Sequence, residues 1–160
     1  MPTIIDANLV VDSSSFAIVV ARWNDFFADK LVSGAIDALV RHGADPDRIT
    51  VVKCPGAFEV PMVCDKVART GRFDGIIGLG VLIRGSTPHF DYISAEATKG
   101  IANVSLDRQI PISFGVLTVD TLEQAIERSG SKAGNKGEEA ALAAVEMVNL
   151  YKQLDGLGQS

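Results

Sequence analysis

The chain is poor in the residues that build metal sites, disulfide scaffolds and nucleic-acid surfaces. Its 160 residues include only two cysteines, Cys54 and Cys64. They do not form a C-x-x-C pair and have no ligand cluster beside them, which argues against a disulfide framework and a zinc site. Cys64 falls on the apolar face of an expected helix and reads as a small hydrophobe. Basic residues number 15 against 20 acidic ones, a formal net charge of −5. No basic field therefore points to nucleic acid or to an anionic membrane. No apolar run is long enough to cross a bilayer. The opening MPTIIDANLV lacks the basic and apolar regions of a secretory signal. Together these absences favour a reducing cytoplasm. No repeat and no linker divides the chain, so one domain over 1–160 is expected, with an N-terminal arm at 1–12 and a flexible tail at 155–160.

What is present is alternation. Apolar residues make up 47% and charged residues 22%, ordinary for a globular chain with a proper core. FAIVVAR, RITVVKC, FDGIIGLGVLI and PISFGVLTV read as strands, and the first and third are apolar enough for both faces to be buried. Amphipathic stretches lie between them. In NDFFADKLVSGAIDALVRHG, Phe27, Leu31, Ala35 and Leu39 recur at helical spacing, and Gly43 is a stop. AFEVPMVCDKVARTG is a helix that tolerates Pro61 in its first turn. Two further helices close the chain. Asp120 with Glu123, and Asn135 with Glu138, read as capping-box starts. Strands alternating with helices of this length predict βαβ units. The expected fold is a three-layer α/β/α, flavodoxin-like domain around a mostly parallel four-stranded sheet.

In such folds ligands sit beyond the C-terminal ends of the strands. The unusual residues of this chain fall there. Arg22-Trp23-Asn24 follows the first strand, and Cys54-Pro55-Gly56-Ala57-Phe58-Glu59 the second. Arg84-Gly85-Ser86-Thr87-Pro88-His89 follows the third, while the fourth carries Phe114 and leads to Thr118 and Asp120. In RGSTPHFD, Thr87 suits an N-cap and Pro88 the first helical position. Free first-turn amides and the helix dipole favour a phosphate, and Ser86 and Thr87 add hydroxyl donors. His89 sets a proton carrier beside that anion cradle. Taken alone, the stretch reads equally well as a capped helix with a solvent-facing histidine; its place at a strand end favours function. His42, beside Gly43 at a helix C-terminus, reads as a dipole contact. Glu59 reads first as a dipole complement, with contact to a polyhydroxy ligand as the functional alternative. Trp23 suits either the core or a flat ligand. GSKAGNKGE is not a phosphate loop of the Walker type, because Lys136 is followed by Gly137.

The stretches ARWND, PGAFEVP, GVLIRGSTPHFDY, ISFGVLTVDTLEQAIERSG and KAGNKGEEAA give the chain a resemblance to the lumazine synthases of riboflavin biosynthesis, running from Phe16 to Leu154. The resemblance implies condensation of 5-amino-6-(D-ribitylamino)uracil with 3,4-dihydroxy-2-butanone 4-phosphate, without metal or organic cofactor. It makes His89 the proton-transfer residue, with Ser86, Thr87 and Arg128 on the phosphate. It sets Trp23 against the pyrimidine where phenylalanine is common, beside Asn24. Ala57, Phe58 and Glu59 meet the ribityl chain and ring, and Val81, Leu82 and Ile83 offer backbone groups to the pyrimidine. Phe114 is implied to come from a neighbouring subunit, with Lys136 close by. The implied assembly is a pentamer or an icosahedral shell of pentamers with sites at subunit interfaces, and the N-terminal segment adds a strand to a neighbour's sheet. The short connection SGSKAGNKGEE leans towards the shell. Riboflavin synthase is a candidate partner. The alternatives are a flavin-binding module of flavodoxin type and a shell protein without catalysis.

Overall fold

The computed structural model describes residues 1–130 and 134–158. Four strands, β1 (Phe16–Ala21), β2 (Ile49–Cys54), β3 (Gly75–Ile83) and β4 (Ile112–Val119), form one sheet in the order β2-β1-β3-β4. Every pairing is parallel, so the sheet expected to be mostly parallel is wholly so. Among the described residues the α-helices are α1 (Asp25–Arg41), α2 (Val60–Arg69), α3 (His89–Arg108), α4 (Leu122–Arg128) and α5 (Lys136–Leu157).

The helices divide between the two faces because the sheet is apolar on both. All six residues of β1 are buried, as a central parallel strand requires. On one face Ile18, Val20, Ile77 and Leu79 pack with Leu31 and Leu39 of α1 and Ala141 and Val145 of α5. On the other, Ala17, Val19 and Ile76 pack with Val60 and Cys64 of α2 and Ala97 and Ile101 of α3. Cys64 is a buried core thiol, and its burial pushes the thiol's pKa up to about 12. At that value it stays protonated and inert at neutral pH. The α1–α5 contact is close because Gly137 has no side chain; a Cβ there would run into the Leu31 carbonyl oxygen.

Helix ends differ from expectation in three places. The α4 cap is Thr121, not Asp120: its hydroxyl accepts from the Gln124 amide at 3.1 Å, and the Gln124 side chain returns to Asp120 N–H at 2.8 Å. The box is thus shifted by one residue, because β4 runs directly into Asp120. At α3, Pro88 is the N-cap, not the first helical residue, with ψ near 0. Its carbonyl accepts from Asp91 and Tyr92, which leaves Thr87 outside the helix. At the C-terminus α5 runs to Leu157, closed by a bond from Gly158 N–H to Asp155 O. Residues 155–157, assigned to a tail from sequence, therefore continue the helix. Residues 159 and 160 lie outside the described residues, as do 131–133 in the α4–α5 connection.

The expected helix stops and caps hold elsewhere. Gly43 has φ +110, the left-handed region a side chain resists. His42 is the α1 C-cap, its Nδ1 2.8 Å from the Ala38 carbonyl. Asn135 caps α5 through Glu138 N–H at 3.1 Å. The N-terminal arm lies along α5 of its own chain: Asn149 donates to the carbonyls of Asn8 and Val10, and Gln153 to that of Asp6. No helix among the described residues is long and apolar enough to cross a membrane.

Candidate active site

A cleft of about 540 Å³ opens at the C-terminal ends of β1, β2 and β3. Ten of the residues singled out from sequence line it: Trp23, Asn24, Ala57, Phe58, Glu59, Val81, Leu82, Ile83, Thr87 and His89. They converge because parallel strands deliver their C-terminal turns to one edge. Ser86 is exposed in the bend before α3 and is not among the lining residues. Trp23 is 73% exposed, which removes it from the chain's core and presents its indole to the cleft.

The floor of the cleft comes from unequal strand lengths. β1 pairs with β3 as far as Leu79, yet β3 continues to Ile83. Arg84 N–H bonds Val119 O of β4 at 2.8 Å. Successive residues of a strand address opposite neighbours, so Val81 and Ile83 turn their backbone groups to the side that β1 has vacated. Asn24 fills part of that gap: its side-chain amide donates to Val81 O at 2.9 Å. Asn24 has φ 64 and ψ 45, a left-handed conformation that asparagine tolerates better than most residues. The turn is knitted to β2 as well, through Arg22 N–H to Cys54 O at 2.8 Å and Trp23 N–H to Pro55 O at 3.2 Å. Ile83 thus offers the donor–acceptor edge of an unfinished sheet, suited to a flat heterocycle that carries both functions.

The opposite wall is the start of α3. The first turn leaves the N–H groups of His89 and Phe90 without an acceptor among the described residues. With Gly85, whose surroundings are open, they form a donor-rich end to which the helix dipole adds positive potential. Burial raises the pKa of the Cys54 thiol beneath the cleft, with the Glu59 carboxylate adding to the rise and Arg22 opposing it. Cys54 is therefore a neutral packing group. Among the described residues no group of three or more His, Cys, Asp or Glu side chains is gathered for a metal ion.

The remaining three residues lie elsewhere in the chain. Phe114, Arg128 and Lys136 line a second depression, of about 400 Å³, between β4, α4 and α5. Lys136 is 3.9 Å from Glu139. Asn135 fixes the junction below it, donating to Lys30 O at 2.9 Å and Ser129 O at 3.3 Å. Within one chain, Arg128 is thus not brought to the loop of Ser86 and Thr87. The cleft also contains residues not singled out as ligand contacts: Pro55, Gly56, Gly85, Phe90 and Ile93. Phe90 and Ile93 were legible as one face of a helix whose first residue is His89, by their three-residue spacing.

Comparison with known proteins agrees with this geometry. A family model described as 6,7-dimethyl-8-ribityllumazine synthase matches residues 13–152. Proteins of that name are similar over nearly their whole length. The one from Chlorobaculum parvum is 64% identical over 94% of this chain and 96% of its own. That from Chloroherpeton thalassium is 63% identical over 94% and 97%, and that from Desulfatibacillum aliphaticivorans 58% over 96% and 99%. With both the matched span and the strand-end cleft in place, the chain belongs to the 6,7-dimethyl-8-ribityllumazine synthase family.

Proposed function

We propose that this chain is the transferase its family is named for. It joins 5-amino-6-(D-ribitylamino)uracil to 3,4-dihydroxy-2-butanone 4-phosphate, giving 6,7-dimethyl-8-ribityllumazine, one phosphate and two waters. Family membership over nearly the whole chain carries the reading. The cleft supports it by pairing an exposed indole and an open strand edge with a donor-rich helix start. The uracil amine attacks the ketone, and loss of the first water leaves an imine. Loss of the C3 proton expels phosphate from C4, the resulting enol tautomerises to a C3 ketone, and the ribityl-bearing nitrogen closes the ring on it with loss of the second water.

In this reading Trp23 stacks on the pyrimidine while the Ile83 backbone pairs with its edge, beside Leu82 and Val81. Ala57, Phe58 and Glu59 receive the ribityl chain. The Gly85–Thr87 loop, the free amides of α3 and the hydroxyls of Ser86 and Thr87 hold the phosphate, and His89 transfers protons. Holding two substrates in register supplies much of the rate, since amine addition to a ketone needs little chemical help.

Arg128, Phe114 and Lys136 complete the site from a neighbouring copy, Arg128 on the leaving phosphate and Phe114 over the ring. The division of these residues between two regions of the chain supports that sharing. The assembly is a pentamer, with the icosahedral shell as the favoured higher form and the arm residues ahead of Asp6, which among the described residues make no side-chain hydrogen bond to their own α5, reaching a neighbour's sheet. The protein works in the cytoplasm, with riboflavin synthase as its candidate partner. Incubating the protein with both substrates and a chelator, and following lumazine fluorescence, tests the reaction. Product is expected; none, or a strict need for added metal, would overturn it.

A further inference from the structure

The loop between β3 and α3 is held from outside. Ser86 and Thr87 make no side-chain hydrogen bond within the described residues, and a Cβ at Gly85 would meet nothing. Both ends of the loop are nevertheless tied by one side chain. Arg84 Nε donates to Asp120 Oδ1 at 2.8 Å, and Nη1 to Asp91 Oδ1 at 3.2 Å. The guanidinium lies 4.5 Å from the centre of the Phe90 ring. One planar group thus joins the end of β3, the end of β4 and the first turn of α3.

We propose that Arg84 is a positioning residue for phosphate binding. It staples the ends of the Gly85–Pro88 loop together, so that the loop amides and the His89 ring are set before the phosphate arrives. The inference rests on the reading of that loop as the phosphate site. Two carboxylates already engage the guanidinium fork, and its flat face covers Phe90, so Arg84 is committed to the protein and not to the ligand. A planar fork suits this three-way contact, which the point charge of lysine cannot reproduce. An exposed ion pair adds little to global stability. Its effect falls on the loop, whose ordering would otherwise be charged to each binding event.

Calorimetry with inorganic phosphate on the assembled protein tests this without needing turnover. A wild-type protein that binds phosphate but makes no product would refute the reaction and leave the staple testable. A wild type that binds no phosphate would overturn the staple. Arg84→Met is expected to weaken phosphate binding on the order of tenfold and to raise KM for the butanone phosphate, with KM for the uracil amine unchanged. Arg84→Lys should lose nearly as much, and it serves as the test if Arg84→Met does not fold. In an Asp91→Asn, Asp120→Asn background the staple is already open, so Arg84→Met should then change phosphate affinity by less than about twofold. A full loss in that background would make Arg84 a direct phosphate ligand and overturn the proposal. Unchanged affinity in a folded Arg84→Met protein would overturn it too.

Discussion

The cleft at the strand ends and the depression beside β4 are built from opposite materials. The cleft has an exposed indole, two phenyl rings, an open strand edge and a histidine at a helix start; among the described residues its lining contains no lysine or arginine. The β4 depression gathers Arg128 and Lys136 around Phe114, with Glu139 as its carboxylate. In the proposed reading one region recognises a flat, polyhydroxylated molecule, while the other supplies positive charge. In that reading the phosphate leaving group draws on both, the helix amides of one and a guanidinium that can fork onto its oxygens from the other. If that reading holds, the difference teaches that the single chain keeps recognition and charge in separate regions, to be joined by a neighbouring copy.

The sharpest way to break the comparison is to remove the charge. Arg128→Ala is expected to lower kcat/KM on the order of a thousandfold, because the cation meets the phosphate in both the ground and transition states. Phosphate inhibition should weaken in parallel; unchanged inhibition would take Arg128 off the phosphate. A smaller loss is expected on the cleft side. His89→Ala should lower kcat roughly a hundredfold with KM for the butanone phosphate little changed. Co-assembling these two impaired variants joins the halves of the comparison. Activity should return in mixed assemblies if one chain's cleft meets its neighbour's depression. Continued inactivity of confirmed mixed assemblies would show that both residues serve the same chain's site.

The smallest effect concerns the indole. Riboflavin or the lumazine product should quench the emission of Trp23, the only tryptophan, in a saturable titration after inner-filter correction. Trp23→Ala should weaken that binding about fivefold, the worth of an aromatic stack of about 1 kcal/mol. Trp23→Phe should keep catalysis, since a flat apolar face remains. A stable Trp23→Ala protein with unchanged riboflavin affinity would remove the indole from the site.

The elements were legible because their signals are local. Phe27, Leu31, Ala35 and Leu39 mark one helix face at any place in a fold, and the apolar run of β1 announces burial on both sides. The gathering of Trp23, Phe58 and His89 was legible too, since parallel strands place their C-terminal turns at one edge. Helix ends were less so. Whether Asp120 or Thr121 caps α4, and whether Thr87 or Pro88 caps α3, turns on where the preceding strand or loop lets go of the chain. Both residues of each pair are compatible with a helix start, and local preference does not separate them.

The sequence by itself determined the alternation of strands and helices, the apolar faces that bury them and the residue types at each strand end. Those depend on side-chain chemistry within a few positions. The tertiary structure decided that β3 outlasts β1, that Asn24 reaches Val81 across 57 residues of chain, and that Arg84 meets Asp120 across 36. It also decided that His89 and Arg128 belong to different regions. These are hydrogen bonds, ion pairs and placements between distant segments. Their geometry exists only once the sheet order and register have brought those segments together.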